Sequence, residues 1–323
     1  MGERATTRLR NVERSGAEGV TAANVRRPRT RAATPRGLPL SSTGRPRRLV
    51  VGVSLDRASA LALRRAYDLS RGLGLEPLLV HVLPSDSPGG RSRERGEIVD
   101  LAARRASLQR AKRAVQEWSL FETGIALPAT SVRVCVGDVA EELCRAARRA
   151  QAEVMVIGGR ADSSGADPGA LTHAVLARAA CPVLVCGPER WDGALVAATD
   201  LVHRGAPVVR VAARFAEALR RPLTVVHNEN GVTLRGVTYP LPERARQQVV
   251  VERLESLTQL VDEIEQVHDA TLTRESVTVD AILRVARARD VDVIVVGGHP
   301  AVGLTCTSVV TEARRSVLVV PLP

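Results

Sequence analysis

Residues 154–159 read Val-Met-Val-Ile-Gly-Gly, and residues 293–298 read Val-Ile-Val-Val-Gly-Gly. Four apolar residues closing on a glycine pair suit a strand covered on both faces, as in a parallel sheet. A half-exposed strand would alternate apolar with polar residues. The two stretches lie 139 residues apart, and their surroundings repeat as well. Leu49-Val50-Val51 returns as Leu195-Val196-Ala197, and Val80-His81 returns as Val226-His227, both 146 residues on. Val183-Leu184-Val185 returns as Val317-Leu318-Val319, 134 residues on. Order is kept while the offset falls from 146 to 139 to 134, so the second copy carries net deletions of seven and five residues. A repeat of this length is one folding unit used twice.

Between these strands the spacing turns helical. Leu61, Leu69 and Leu73 recur among alanines over 58–73, with Gly72 and Gly74 closing the stretch. Further helices are predicted over 97–121, 140–150 and 171–179, and strands over 49–53, 78–82, 131–136, 154–157 and 183–186. Residues 85–95 read as a polar loop. In the second copy Val250, Leu254, Leu257, Val261 and Ile264 form one apolar stripe of an amphipathic helix, read as packing on a sheet. Strands alternating with helices predict an α/β fold: two tandem doubly wound domains, each a five-stranded parallel sheet with helices on both faces. The expected boundaries are an arginine-rich tail at 1–46, a first domain at 47–188 and a second at 189–323.

Composition agrees with two domains. The chain has 323 residues, 45% of them hydrophobic. It lacks a run of about 18 apolar residues, which excludes a membrane-spanning helix. Its start lacks the apolar core of a secretory signal. A cytoplasmic protein with no membrane contact is expected. The five cysteines form no C-x-x-C pair, so neither a zinc site nor a disulfide framework is expected. The net charge of +11 suggests nucleic acid until it is mapped. Residues 1–48 hold twelve Arg and three Glu, net +9, which leaves +2 for the other 275 residues. Residues 1–46 show neither helical nor strand periodicity and are expected to be disordered. They read as a solvated tail or an extension from a misplaced start codon, in preference to an arm touching nucleic acid. No aromatic residue is interleaved with the arginines to stack on bases.

Several stretches, in the same order in both copies, resemble the universal stress protein family. In the first copy these are Leu49–Val53, Ser59, Val80-His81-Val82, Val136–Leu143, Val154–Gly158 and Ala180–Val185. In the second they are Leu195–Asp200, Val226-His227, Asp292–Gly297 and Ser316–Pro321. The resemblance covers about residues 47–323 and implies an internal pseudo-dimer in which Val183–Cys186 faces Val317–Val320. Homo-oligomers and unidentified protein partners are further implications. Nucleotide-binding members of the family carry a G-x2-G-x9-G-[S/T] loop after the fourth strand. Its glycines bring backbone N–H groups to phosphate. An Asp ends the first strand and holds the sugar or base.

This chain departs from that pattern in both copies. In the first, Gly158 and Gly169 match the outer glycines at a spacing of 11 in place of 13, and Ala161 stands at the second glycine. Ala170 replaces the hydroxyl residue, with Thr172 two positions on, and Ser54 replaces the strand-one Asp. Arg160 is a candidate phosphate partner, Gly159 and Gly165 offer flexible backbone, and the resemblance places Val82 in the same site. In the second copy Asp200 is present, but Gly297 and Gly303 are only six apart, Leu304 follows, and Asn228 replaces an apolar residue after His227. ATP is therefore expected, if anywhere, in the first domain. No catalytic or metal-binding residue is assigned. His81 and His227 are read as hydrogen-bonded structural residues, and Cys181 and Cys186 as buried apolar groups. The expected function is a non-enzymatic stress-response or regulatory protein with ATP binding in the first domain. The competing expectations are an ATP-hydrolysing or transferring enzyme of the related α/β group and a nucleic-acid-associated protein acting through the tail.

Overall fold

The computed structural model describes residues 10–14, 21–26, 47–84, 101–159, 169–188, 190–201, 205–229, 232–234, 237–239, 242–275, 277–298 and 304–322. The elements begin with β1 (Arg10–Arg14), β2 (Thr21–Arg26), β3 (Arg48–Gly52), α1 (Arg57–Leu73), β4 (Glu76–Leu83), α2 (Leu101–Thr123) and β5 (Val132–Val136). Next come α3 (Val139–Ala150), β6 (Val154–Gly158), α4 (Ala170–Leu176), β7 (Val183–Cys186), β8 (Ala194–Ala198), α5 (Gly205–Leu219) and β9 (Leu223–Asn228). The chain ends with β10 (Val232–Leu234), β11 (Val237–Tyr239), α6 (Glu243–Glu263), β12 (Val267–Thr273), α7 (Thr278–Ala288), β13 (Val291–Gly298), α8 (Leu304–Glu312) and β14 (Ser316–Pro321). The polar loop expected at 85–95 lies outside the described residues.

The chain divides into two compact units. The first domain comprises residues 37–189 with 298–321 and 323. Its strands run in the order β14-β7-β6-β3-β4-β5. All neighbours are parallel except β14, which lies antiparallel on β7 with Val317 opposite Val185, Leu318 opposite Leu184 and Val319 opposite Val183. That is the pairing the resemblance implied. Compactness groups this last strand with residues 37–189. Leu49, Val50 and Val51 are fully buried, as are Val154, Met155 and Val156. The continuous apolar runs thus sit in the middle of a sheet covered on both faces.

The second domain comprises residues 1–36, 190–297 and 322. Its parallel strands run in the order β12-β9-β8-β13, and β10 and β11 form a separate hairpin. Of the predicted helical stripe, Leu257 and Val261 in α6 are buried. The expectation of a wholly disordered tail needs correction. β2 pairs antiparallel with β12, from Arg26 opposite Asp269 to Ala23 opposite Leu272, and β1 pairs with β2. The physical reason is the outer edge of β12, whose N–H and C=O groups need partners. Strand addition of this kind uses backbone bonds and asks little of side chains, so no hydrophobic alternation announces it.

The repeat is also visible in the backbone. Val53 N–H donates to the Val80 carbonyl at 3.0 Å, and Thr199 N–H to the Val226 carbonyl at 3.0 Å. Left-handed residues fall at matching places: Leu55 and Leu201, Gly74 and Arg220, Gln151 and Asp290. Their separations are 146, 146 and 139, the offsets read from the strands. Gly74 ends α1 at φ 64°, where lack of a Cβ removes the strain, whereas Arg220 takes φ 56° at the same place after α5. Arg220→Gly should therefore raise the unfolding free energy by about 1 kcal/mol, and Gly74→Arg should lower it by about as much. Urea denaturation reads both. A lowered midpoint for Arg220→Gly would show that the arginine side chain outweighs the backbone strain.

Candidate functional site

In a parallel α/β sheet the ligand crevice lies beyond the carboxyl ends of the strands, where successive connections leave in opposite directions. In the first domain that point is between β3 and β6, since the chain goes from β3 to β4 on one side and reaches β6 on the other. Ser54 follows β3, Val82 lies near the end of β4, and Gly158 ends β6. The structure thus brings Ser54, Val82 and Gly158 to one pole of the sheet. Arg160, with Ala161 and Gly165, lies outside the described residues.

The turn from β3 into α1 shows what replaces the missing strand-one aspartate. Asp56, two residues after Ser54, is the N-cap of α1. Its carboxylate accepts from Ser59 N–H at 2.7 Å, from the Ser59 hydroxyl at 2.8 Å and from the Ser54 hydroxyl at 2.7 Å. Asp56 N–H in turn donates to the Ser59 hydroxyl oxygen at 3.1 Å, closing a reciprocal capping box. Ser54 is therefore committed to the helix cap. The sequence signal was available in the Asp-x-x-Ser spacing of residues 56–59. Burial alone would raise the Asp56 carboxyl, but the bonds from Ser54, Ser59 and Ala58 hold it below the ordinary carboxylate range.

The glycines divide into two kinds. A Cβ on Gly158 would sit 2.7 Å from the Ala58 carbonyl carbon, and one on Gly159 would sit 2.6 Å from the Cys186 carbonyl oxygen. Gly159 N–H donates to that oxygen at 2.9 Å. Both glycines are required by packing of β6 against α1 and β7, whatever else they do. Gly169 differs. It is the N-cap of α4 at φ 88°, and among the described residues nothing lies within 4 Å of where a Cβ would stand. Its need for glycine is conformational. Ala170 is exposed, while Thr172 is only 3% exposed. Thr172 thus lies on a different face of α4 from Ala170, since two helical positions turn a side chain by about 200°.

The corresponding pole of the second domain is between β8 and β13. Asp200 follows β8 and is exposed. A Cβ on Gly297 would sit 2.6 Å from Leu322 Cδ1 and 3.3 Å from Val208 Cγ2, so this glycine also answers to packing. Gly303 lies outside the described residues. Asn228, which stands where the first copy has Val82, makes four hydrogen bonds. Its Nδ2 donates to the Glu275 carbonyl at 3.0 Å and to Thr278 Oγ1 at 3.2 Å. Its Oδ1 accepts from Glu275 N–H and the Thr273 hydroxyl, each at 2.9 Å. Beside it, Glu229 lies 3.4 Å from His227 Nε2 and accepts from Arg253 Nε at 3.3 Å. This pole is occupied by its own polar network, which nothing but the Val-to-Asn difference signalled in the sequence.

His81, His227 and the buried cysteines are structural groups in this geometry. His81 Nδ1 lies 2.8 Å from the Val53 carbonyl and His227 Nδ1 lies 2.8 Å from the Thr199 carbonyl. A carbonyl can only accept, so each ring carries a proton on Nδ1. All five cysteines are free. Burial pushes the Cys181, Cys186 and Cys306 thiols up to about 11, which keeps them protonated at neutral pH and poor nucleophiles.

Residues 46–187 match the model of the Universal stress protein family. A functionally unknown protein from Pseudomonas aeruginosa PAO1 is similar in structure, with TM-score 0.58 and 18% identity over 86% of this chain and 93% of its own. A universal stress protein from Archaeoglobus fulgidus DSM 4304 has TM-score 0.55 and 15% identity, over 84% of this chain and 98% of its own. The search of curated proteins finds no match.

The capping box at the edge of this site is testable by its pH dependence. Asp56→Ala should destabilise the protein by about 1 kcal/mol near neutral pH. The wild-type carboxyl is held low in the folded state, so its contribution is complete above the ordinary value of about 4. It fades as pH falls through the lower folded value. The gap in unfolding free energy between wild type and Asp56→Ala should therefore close in acid. A gap that persists once the carboxyl is protonated would mean that packing, not the charged cap, is responsible.

Proposed function

We propose that this chain, whose first domain belongs to the Universal stress protein family, is a non-enzymatic regulatory protein of the stress response. In this reading it binds ATP at the carboxyl pole of the first domain and acts through contacts with other proteins. The observation that carries the reading is the contrast between the two poles. In the first domain, Gly158 and Gly159 precede residues 160–168 in the sequence, and Gly169 follows as the N-cap of α4 at φ 88°. At the matching strand end of the second domain, Glu229 is held by His227 and Arg253, while the Asn228 amide bonds to Glu275, Thr278 and Thr273. A triphosphate needs several convergent N–H donors, and a longer glycine-bordered segment supplies more of them. Retention of a full second domain alongside one ligand site favours a binding and signalling role over turnover. Among the described residues no helix is long and apolar enough to cross a membrane, and we place the protein in the cytoplasm.

The test is to denature the purified protein, identify any released nucleotide by chromatography, and titrate the nucleotide-free protein with ATP by calorimetry. Gly169→Val forces a β-branched residue into a left-handed conformation and should weaken ATP binding by about tenfold or more. Asp200→Ala should leave the affinity nearly unchanged. Loss of binding in Asp200→Ala with retention in Gly169→Val would put the site in the second domain. Absence of any ATP heat at millimolar concentration would remove the nucleotide and leave the protein-contact reading.

A further inference from the structure

We propose that a cleft at the amino-terminal end of the first domain's sheet binds a small phosphate-bearing molecule with an apolar body. The cleft has a volume of about 610 Å³ and lies beside the outer strand β5, with α2 on one wall. It is set by Arg48 at the start of β3, Val132 at the start of β5 and Ala150 at the end of α3. Ser54 and Gly158 lie at the opposite, carboxyl ends of the same strands, so the two sites are separate.

Four cations line the cleft: Arg48, Lys112, Arg133 and Arg149. Among the described residues no carboxylate lines it. Arg48 has a partner in Glu76 at 3.6 Å, but among the described residues Lys112, Arg133 and Arg149 have none. Each has an ordinary reading taken singly. Arg149 sits in the last turn of α3, where a cation offsets the helix dipole. Arg133 guards an edge strand from pairing. Lys112 is a solvated helix position. Those readings do not explain why all face one concave surface walled by Leu78, Leu108 and Val132. Nor is the concentration a by-product of general basicity, because residues 48–323 carry a net charge of only +3.

Charges gathered over an apolar surface repel one another more strongly than in open water. A ligand that offsets at least two of them carries a double negative charge, which a phosphate monoester does and a carboxylate does not. Guanidinium groups also match phosphate oxygens in pairs. The apolar wall fits an aliphatic or aromatic body attached to that phosphate, and the volume is in the range of small-molecule clefts.

Lys112 is the only lysine in the chain, which gives a direct probe. Reductive methylation with 13C-formaldehyde keeps the charge and labels one side chain besides the terminal amine. Titration of the full chain with phenyl phosphate should shift the Lys112 methyl resonance saturably. Affinity should exceed that for inorganic phosphate, which lacks the apolar body, by about tenfold or more. It should exceed that for phenylacetate, which lacks the second charge, by a similar factor. Arg133→Gln should weaken phenyl phosphate binding by about tenfold, and Arg133→Lys should restore part of it. Gly169→Val, at the other pole, should leave it unchanged. No saturable shift, equal affinity for inorganic phosphate, or loss in Gly169→Val but not in Arg133→Gln would each overturn the proposal. So would a duplex oligonucleotide that shifts the Lys112 signal where phenyl phosphate does not, since the surface would then serve nucleic acid.

Discussion

β7 is buried along its whole length, and water cannot serve the backbone groups on its outer edge. A buried N–H or C=O without a partner costs about 1–3 kcal/mol, so the strand needs a neighbour. β14 supplies it from the far end of the chain, in antiparallel register. The arrangements around β7 follow from that contact. Gly187 has no room for a side chain, since a Cβ would stand 2.5 Å from the Arg314 carbonyl oxygen. Arg65 is 4% exposed and reaches from α1 to the Gly187 carbonyl and to Ser316 Oγ, the latter at 2.7 Å. A buried guanidinium of this kind is held by hydrogen bonds in fixed directions, so helix, outer strand and terminal strand form one packed block. Compactness then assigns residues 298–321 to the first domain although the repeat pairs them with the second copy.

What the sequence shows and hides follows from which interactions shape composition. Burial on both faces writes itself into long apolar runs, so β3, β6, β8 and β13 could be read directly. The repeat was legible in the strand runs at fixed offsets, whereas the matched left-handed residues Leu55 and Leu201 are not glycine and carry no composition signal. Edge addition by β2 was not legible, because it uses backbone groups that every residue has. Thr172 illustrates a related point. A motif counts positions along the chain, whereas a helix sorts them by angle, and two positions separate the exposed Ala170 from the buried Thr172. Asp56 carries no ligand-motif signal, because the motif's carboxylate position is 54, while the carboxylate two residues on closes a helix.

The glycine pairs carry a more general lesson. Gly158-Gly159 and Gly297-Gly298 occur in both copies, and the first reading of such pairs is phosphate. Gly158, Gly159 and Gly297 would meet a neighbour at under 3 Å if given a Cβ, and so would Gly298, 2.7 Å from Val319 Cγ1. These close approaches belong to the joining of strand, helix and neighbouring strand, and they hold whether or not a ligand is present. A copy that loses its ligand therefore keeps its glycine pair, and the pair says little about binding. The informative position is one that packing leaves free to change. Val82 and Asn228 are such a pair: both are accommodated at the end of an equivalent strand, yet the asparagine satisfies all four of its hydrogen bonds within the chain. A side chain so engaged has no donor or acceptor left for a ligand, and displacing it would release β12 from the start of α7. The amide holds the second domain together at the place where the first keeps an apolar side chain, and so the same fold presents two different surfaces at the ends of equivalent strands.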